Sequence, residues 1–108
     1  MTIYSYCRTS ELEASFGSSK LEEILEPEML AIQTYCLAEQ WYMTETLRDD
    51  DCNWNLEFHK RLNGKRLMTM LRPGDVVLCS KLERIVSSGS QALALIRQLR
   101  EKSVKLHV

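Results

Sequence analysis

Several things are scarce in this sequence, and each shortage excludes something. Two prolines and four glycines in 108 residues are too few for a low-complexity or collagen-like chain. No apolar run approaches the ~20 residues that a membrane-spanning helix needs. Residues 1–8 are too short and too polar for a secretory signal. Neither charge sign dominates: 14 Lys and Arg stand against 15 Asp and Glu, for a formal net charge of -1, whereas a stand-alone nucleic-acid binder is usually basic. The four cysteines, Cys7, Cys36, Cys52 and Cys79, contain no C-x-x-C pair, and His59 and His107 lie far apart. The ligand spacing of a metal site is therefore missing. Such thiols suit the buried, reduced cysteines of a cytoplasmic protein.

What is present is enough for one core. The length fits one domain, and a chain of this size buries roughly 65% of its unfolded surface. Thr2–Cys7 reads as a strand, with Ile3, Tyr4 and Tyr6 as strand formers. Arg8–Lys20 is rich in Ser, Thr and Gly and predicts a loop. Leu21–Leu25 predicts a helical turn. Pro27 fits the first turn of a helix that carries Met29, Ile32 and Cys36 and ends near Gln40. Trp41–Leu47 predicts a second strand, and the acidic Arg48–Asn55 a solvated loop. Leu56–Leu71 predicts a helix with Phe58, Leu62, Leu67, Met68 and Leu71 turned inward. Pro73-Gly74 is a stop and turn. Val76, Val77 and Leu78 in sequence suit a central parallel strand buried on both faces. Ser87–Ser90 offers several helix caps, followed by Ala92, Leu95, Ile96 and Leu99 at helical spacing. Val104–Val108 alternates as a last strand. Strands that alternate with helices in this way predict an α/β domain with a mostly parallel central sheet of about four to five strands flanked by helices.

In such sheets ligands gather beyond the carboxyl ends of the strands. Arg8-Thr9-Ser10 follows the first strand, and Lys81-Leu82-Glu83-Arg84 follows the strand around Val77. Arg8, Ser10, Lys81 and Arg84 are thus expected along one edge. A serine hydroxyl beside guanidiniums suits attack on a phosphodiester. The hydroxyl needs activation, the phosphoryl oxygens need positive charge, and the planar fork of Arg grips two oxygens at once.

At these residues the sequence resembles the serine recombinases, the resolvase and invertase family. Tyr6-Cys7-Arg8-Thr9-Ser10 is similar to the family's opening Y-x-R-x-S. Leu71-Arg72-Pro73-Gly74-Asp75-Val76-Val77 is similar to its L-x-P-G-D-x-x, Lys81-Leu82-Glu83-Arg84 to its K-L-D-R, and Arg61-Leu62-Asn63-Gly64 to its R-P-x-G. The four motifs occur in the family's order at compatible spacing. The resemblance implies a resolvase-like catalytic domain over residues 1–108. It implies site-specific DNA recombination through a covalent 5′-phosphoserine link to DNA. Ser10 would be the nucleophile, and Arg8, Arg61 and Arg84 would hold the scissile phosphate. Glu83 stands where the family has an Asp that helps the leaving oxygen or braces an Arg. Tyr6 and Lys81 would support the site, and Asp75 would be mainly structural. No metal or other cofactor is implied. The implied partners are double-stranded DNA and further copies of the chain, a dimer that becomes a tetramer when two sites pair. A bacterial or phage origin would suit, with no membrane involved.

The chain also departs from the pattern. Ser87 stands where the family has a further Arg, Ala14 where it commonly has Gln, Leu62 in place of the Pro, and Asn53-Trp54 in place of an S-G. These departures motivate a second expectation, a catalytically impaired domain serving as a regulatory or protein-interaction module. The chain stops on a strand, where family members continue into a long dimerisation helix and a DNA-binding part, so a fragment of a longer protein is expected. A flavodoxin-like or receiver-like module is a weaker alternative, because Arg8-Thr9-Ser10 supplies neither an acidic nor a phosphate-cradling cluster.

Overall fold

The computed structural model describes the chain apart from residues 11, 12, 14, 53–55 and 87, and apart from the side chains of residues 18, 51 and 52. Strands β1 (Ile3–Ser10), β2 (Met43–Cys52), β3 (Val76–Leu78) and β4 (Lys105–His107) form one sheet in the order β2-β1-β3-β4. Every pairing is parallel. Three helices make the crossovers: α1 (Ser18–Glu39), α2 (Leu62–Met70) and α3 (Gly89–Glu101). The parallel α/β sheet expected from the alternation is present, with four strands. Because all strands run one way, their carboxyl ends share one edge.

The side chains of the two central strands alternate between two cores, as period-2 geometry requires. Tyr4, Tyr6, Val77 and Cys79 pack with Phe58, Leu67 and Leu71 from the α2 region and with Leu95 and Leu99 of α3. Ile3, Val76 and Leu78 pack on the other face with Cys36 and Ile32 of α1. Val76 and Val77 are thus covered from opposite sides, and each such burial stabilises by roughly 1.5–3 kcal/mol.

The structure moves several boundaries. β1 runs through Arg8 to Ser10, where a loop was expected, because β2 pairs with it that far. β2 in turn continues through the acidic run. Asp49 is buried, not solvated; it accepts from the Tyr6 hydroxyl at 2.6 Å and from the backbone N–H groups of Asn63 and Gly64. Asp50 accepts from Thr9 Oγ1 at 3.0 Å and from Arg48 Nε at 2.7 Å. Pro27 is interior to α1 rather than in a first turn. An interior proline costs about 3 kcal/mol. Leu21 and Leu25 before it and Cys36 after it are buried, so packing holds both halves of the helix against that cost. The helix does end at Gln40, which takes the left-handed conformation (φ 59°) and donates to Cys36 and Leu37 carbonyls.

The helix expected over Leu56–Leu71 is divided. A 3-10 turn, Phe58–Lys60, precedes an extended Arg61 (ψ 149°), and α2 begins only at Leu62. The cause is the Asp49 carboxylate, which caps α2 from a neighbouring strand and sets where the helix starts. Leu62, expected inward, is 82% exposed, whereas Phe58, Leu67 and Leu71 are buried. Ile96 of α3 is likewise exposed beside buried Leu95 and Leu99. Ser88, within the expected cap cluster, accepts from Gln91 N–H. No helix among the described residues is long and apolar enough to cross a membrane.

Gly64 sits where the first turn of α2 touches the Phe58 carbonyl, and a Cβ there would overlap that oxygen. Gly89, at the start of α3, has nothing within 4 Å of such a Cβ. Gly64→Ala is therefore expected to destabilise by about 3 kcal/mol, and Gly89→Ala to stay within about 0.5 kcal/mol of the parent. Urea unfolding of the two variants checks the pair.

Candidate active site

Ser10 is the last residue of β1, at the carboxyl edge of the sheet. Its local structure is reciprocal. Ser10 Oγ donates to Glu13 Oε1 at 3.1 Å, Glu13 N–H donates to Ser10 Oγ at 3.1 Å, and Ser10 N–H donates to Glu13 Oε1 at 3.1 Å. This is the capping-box arrangement of a Ser followed three residues later by Glu. The serine oxygen thereby has a carboxylate on its proton and an N–H on a lone pair.

The same Glu13 carboxylate meets Arg84, from the 3-10 turn Leu82–Arg84 that follows β3. Arg84 NH1 contacts Oε1 at 2.8 Å and Oε2 at 2.7 Å. The other edge of the guanidinium forms a two-point pair with Glu28 of α1, through Nε at 2.9 Å and NH2 at 2.8 Å. Glu28 also accepts from Ser80 Oγ. Ser10, Glu13, Arg84, Glu28 and Ser80 thus form one connected cluster, in which Ser10 and Arg84 are separated by a single carboxylate oxygen.

The charges in this cluster hold one another. The Glu28 hydrogen bonds, then those of Glu13, raise Arg84 well above its ordinary value against the effect of partial burial. Burial pushes the Glu13 carboxyl up, but the hydrogen bonds from Arg84 and from the Ser10 backbone outweigh it and the group lies below its ordinary value. Glu28 behaves likewise, with Arg84 and Ser80 outweighing burial and Lys81 adding positive potential. Cys7, the neighbouring nucleophile type on β1, is pushed up to about 11, chiefly by burial. Cys7 therefore stays a thiol at neutral pH.

Arg61 is elsewhere. It is 1% exposed, donates through Nε to the Leu56 carbonyl at 3.1 Å and through NH1 to the Ile85 carbonyl and the Tyr6 hydroxyl. Its guanidinium also lies 6.0 Å from the centre of the Tyr6 ring. Arg61, expected to grip a phosphate, thus has Nε and NH1 on two carbonyls and a phenol in the core, while NH2 is buried with no hydrogen-bond partner among the described residues. Tyr6, 1% exposed, is raised far above the ordinary phenol value, first by burial, and stays neutral. Asp75 lies at the opposite end of the sheet, where its carboxylate accepts from Thr2 and Arg72 N–H groups and closes the Pro73-Gly74 turn. Arg8 is half-buried on β1, two residues before Ser10, and Lys81 and Glu83 are exposed beside Arg84. Ala14, Asn53-Trp54 and Ser87, where the sequence departs from the recombinase pattern, lie outside the described residues.

Within the Ser10 cluster, Glu28 and Ser80 line a cleft of about 220 Å³ together with Tyr6, Cys7 and Arg48. A cleft of about 300 Å³ between α1 and the ends of β3 and β4 is lined by Tyr35, Ser80 and His107 and excludes Ser10, Glu13 and Arg84. Ser10 itself is half-buried at this edge.

Comparison with known proteins decides the family. The model of the resolvase N-terminal domain matches residues 3–108. The chain belongs to the resolvase family. Two solved structures are similar. The C-terminal catalytic domain of ISC1926 TnpA, an IS607-like serine recombinase, is 21% identical over all of this chain and 67% of that one, with a TM-score of 0.71. The N-terminal catalytic domain of TP901-1 integrase is 18% identical over 98% of this chain and 75% of that one, with a TM-score of 0.70. At these identities the likeness speaks for the fold. No curated protein matches. The fold is accordingly that of a serine recombinase catalytic domain, and the family membership implies site-specific recombination.

Within this resolvase domain, Glu13 and Glu28 were not singled out from sequence. The Ser10-x-x-Glu13 spacing was a readable signal for the first. Nothing local marks Glu28, which is 56 residues from Arg84. Two expectations follow. Arg61→Ala leaves two carbonyls and the Tyr6 hydroxyl without their donor and is expected to cost about 3–5 kcal/mol; Arg61→Lys restores little, because an ammonium cannot span the three acceptors. Urea unfolding measures both. Glu13 and Glu28, whose carboxyls are held below the ordinary 4.5 in the fold, bind protons more readily in the unfolded chain. Their contribution is complete above that value and is lost as pH falls through their folded values. Stability measured from neutral pH down to about pH 3 is expected to fall less steeply in Glu13→Gln/Glu28→Gln than in the parent.

Proposed function

We propose that this domain cuts and rejoins DNA strands with Ser10 as nucleophile, through a covalent phosphoserine link to a 5′ end. The observation that carries the reading is the position of the Ser10 hydroxyl at the end of β1, one carboxylate oxygen away from the guanidinium of Arg84. Arg84 is the residue assigned to the phosphoryl oxygens, where a preorganised cation lowers the barrier. Arg8, on the same strand, is the second. Arg61 acts by positioning, through Tyr6, and Lys81 and Glu83 flank the phosphate-binding turn. Both halves of the reaction are phosphoryl transfers, so the bond energy is kept in the covalent link and no nucleotide is consumed. Double-stranded DNA is the substrate. The dimer, the paired-site tetramer and the parts that read DNA belong to a longer bacterial or phage protein of which these 108 residues are the catalytic piece.

A second reading has one observation in its favour. Arg84 is neutralised by two carboxylates, as in a domain that no longer takes a phosphate and serves regulation instead. Trapping separates the two. The longer protein on a nicked duplex carrying its recombination site is expected to give a covalent protein-DNA adduct, absent in Ser10→Ala and reduced roughly 10²–10³-fold in Arg84→Gln. No adduct from the parent protein sinks the enzyme reading and leaves the regulatory one.

A further inference from the structure

We propose that Glu13 is the general base for Ser10, and that it is released for this role when the substrate phosphate takes Arg84 from it. The inference rests on the reading of Ser10 as nucleophile and adds the identity and timing of the proton acceptor.

The geometry is that of a base already in place. A general base must lie within about 2.6–3.2 Å of the proton it takes, and Glu13 Oε1 is 3.1 Å from Ser10 Oγ. The Glu13 N–H on the same oxygen favours the negative charge that develops there. What restrains the base is Arg84, which covers both Glu13 oxygens through NH1. A carboxylate so paired holds a proton weakly.

The two edges of Arg84 are not equivalent. Glu28 grips Nε and NH2 with one oxygen each, is itself held by Ser80, and sits on the long helix α1. Its side chain is 13% exposed, that of Glu13 22%. NH1 is the group on Glu13, and it shares Glu13 Oε1 with the Ser10 hydroxyl. A phosphodiester arriving at Ser10 competes for NH1 with Glu13, while Glu28 keeps the guanidinium in position. As NH1 turns to the phosphate, Glu13 loses its counter-charge and becomes a stronger base at the moment the serine proton must leave. Lys81 adds positive potential at Glu28, which keeps its own pair with Arg84.

The step balances. The proton passes from Ser10 Oγ to Glu13 Oε1. The Oγ–P bond forms as the bond from phosphorus to the 3′ oxygen breaks, and the electron pair leaves with that oxygen, which takes a proton from water. In resealing, the 3′ hydroxyl gives its proton to water and attacks phosphorus, Oγ departs, and Glu13 returns its proton to it. A free, unpaired base would be active without DNA; one masked by Arg84 is unmasked by the phosphate alone.

The test is a titration of the Glu13 carboxyl carbon by NMR in the 108-residue chain, with and without a dinucleotide holding one phosphodiester, with the side-chain N–H signals of Arg84 as the report of binding. The expected result is that the dinucleotide shifts the Arg84 signals and raises the Glu13 midpoint by about one unit, a tenfold gain in proton affinity. If the Arg84 signals move and the Glu13 midpoint does not, the proposal is overturned and Arg84 as the phosphate ligand stands. If neither moves, the phosphate-binding reading of the edge fails and the proposal with it. A second readout is kinetic. Glu13→Gln keeps a hydrogen-bond acceptor and is expected to slow adduct formation by the longer protein roughly 10²–10⁴-fold and to remove the acid limb of its pH profile. An unchanged profile in that variant overturns the base assignment.

Discussion

A carboxylate taken out of water must find compensating donors, and the arrangement around Asp49 follows from that requirement. It lies on β2, 7% exposed, and receives the Tyr6 hydroxyl and the first N–H groups of α2. The Tyr6 hydroxyl also accepts from Arg61 NH1, and Arg61 reaches the carbonyls of Leu56 through Nε and of Ile85 through NH1. One buried polar chain thus ties β2, β1, the start of α2 and the segment after β3. Each member is a donor or acceptor that another member needs, so losing one strands the rest. Such networks fix a unique arrangement at the cost of being intolerant to partial loss. Here the arrangement they fix is the direction in which β1 delivers Ser10.

Two arginines of the same family pattern therefore meet opposite fates. Arg61 is enclosed by neutral acceptors in the core, and Arg84 stands between two carboxylates at the edge. A guanidinium serves both places because its five donors lie in one plane and do not lose their proton. In the core this geometry allows three acceptors to be satisfied at once. At the edge it allows one side of the fork to hold Glu28 while the other holds Glu13. An ammonium would do neither.

The fold was legible where a segment's own pattern decided its structure. Val76-Val77-Leu78 announced a strand covered on both faces, Ser88 a helix start, and Gln40 a helix end, because in each case the deciding contacts are local or depend only on burial. The acidic run 49–51 was read as solvated because charge argues for water, and no local signal says that Tyr6 and the start of α2 will meet Asp49. The same gap hid the break at Arg61: its cause lies on β2, not in the helix. Pro27 was placed in a first turn on propensity, and the packing of Leu21 and Leu25 overrode it. The positions of Ser10 and Arg8 at the end of β1 and of Arg84 after β3 were legible through motif and strand-end position. Arg61 was legible as a residue but not in its place, since a motif carries identity and not depth. Glu28 was not legible at all, because a contact across 56 residues leaves no trace in local spacing.

The net charge of -1 acquires a physical sense from the edge itself. Arg84 with Glu13 and Glu28 sums to one negative charge, so the cluster does not attract DNA from a distance. Long-range attraction to a phosphate backbone needs an excess of cations, and this domain has none. On the proposed reading, what the edge offers is short-range exchange: a phosphate gains Arg84 by arriving within hydrogen-bond distance and displacing Glu13. Chemistry at the edge is, on the same reading, gated by the exchange at Arg84 and not by long-range attraction. On that reading, the carboxylate that sits on the Ser10 proton is the same one that a phosphate must displace from Arg84.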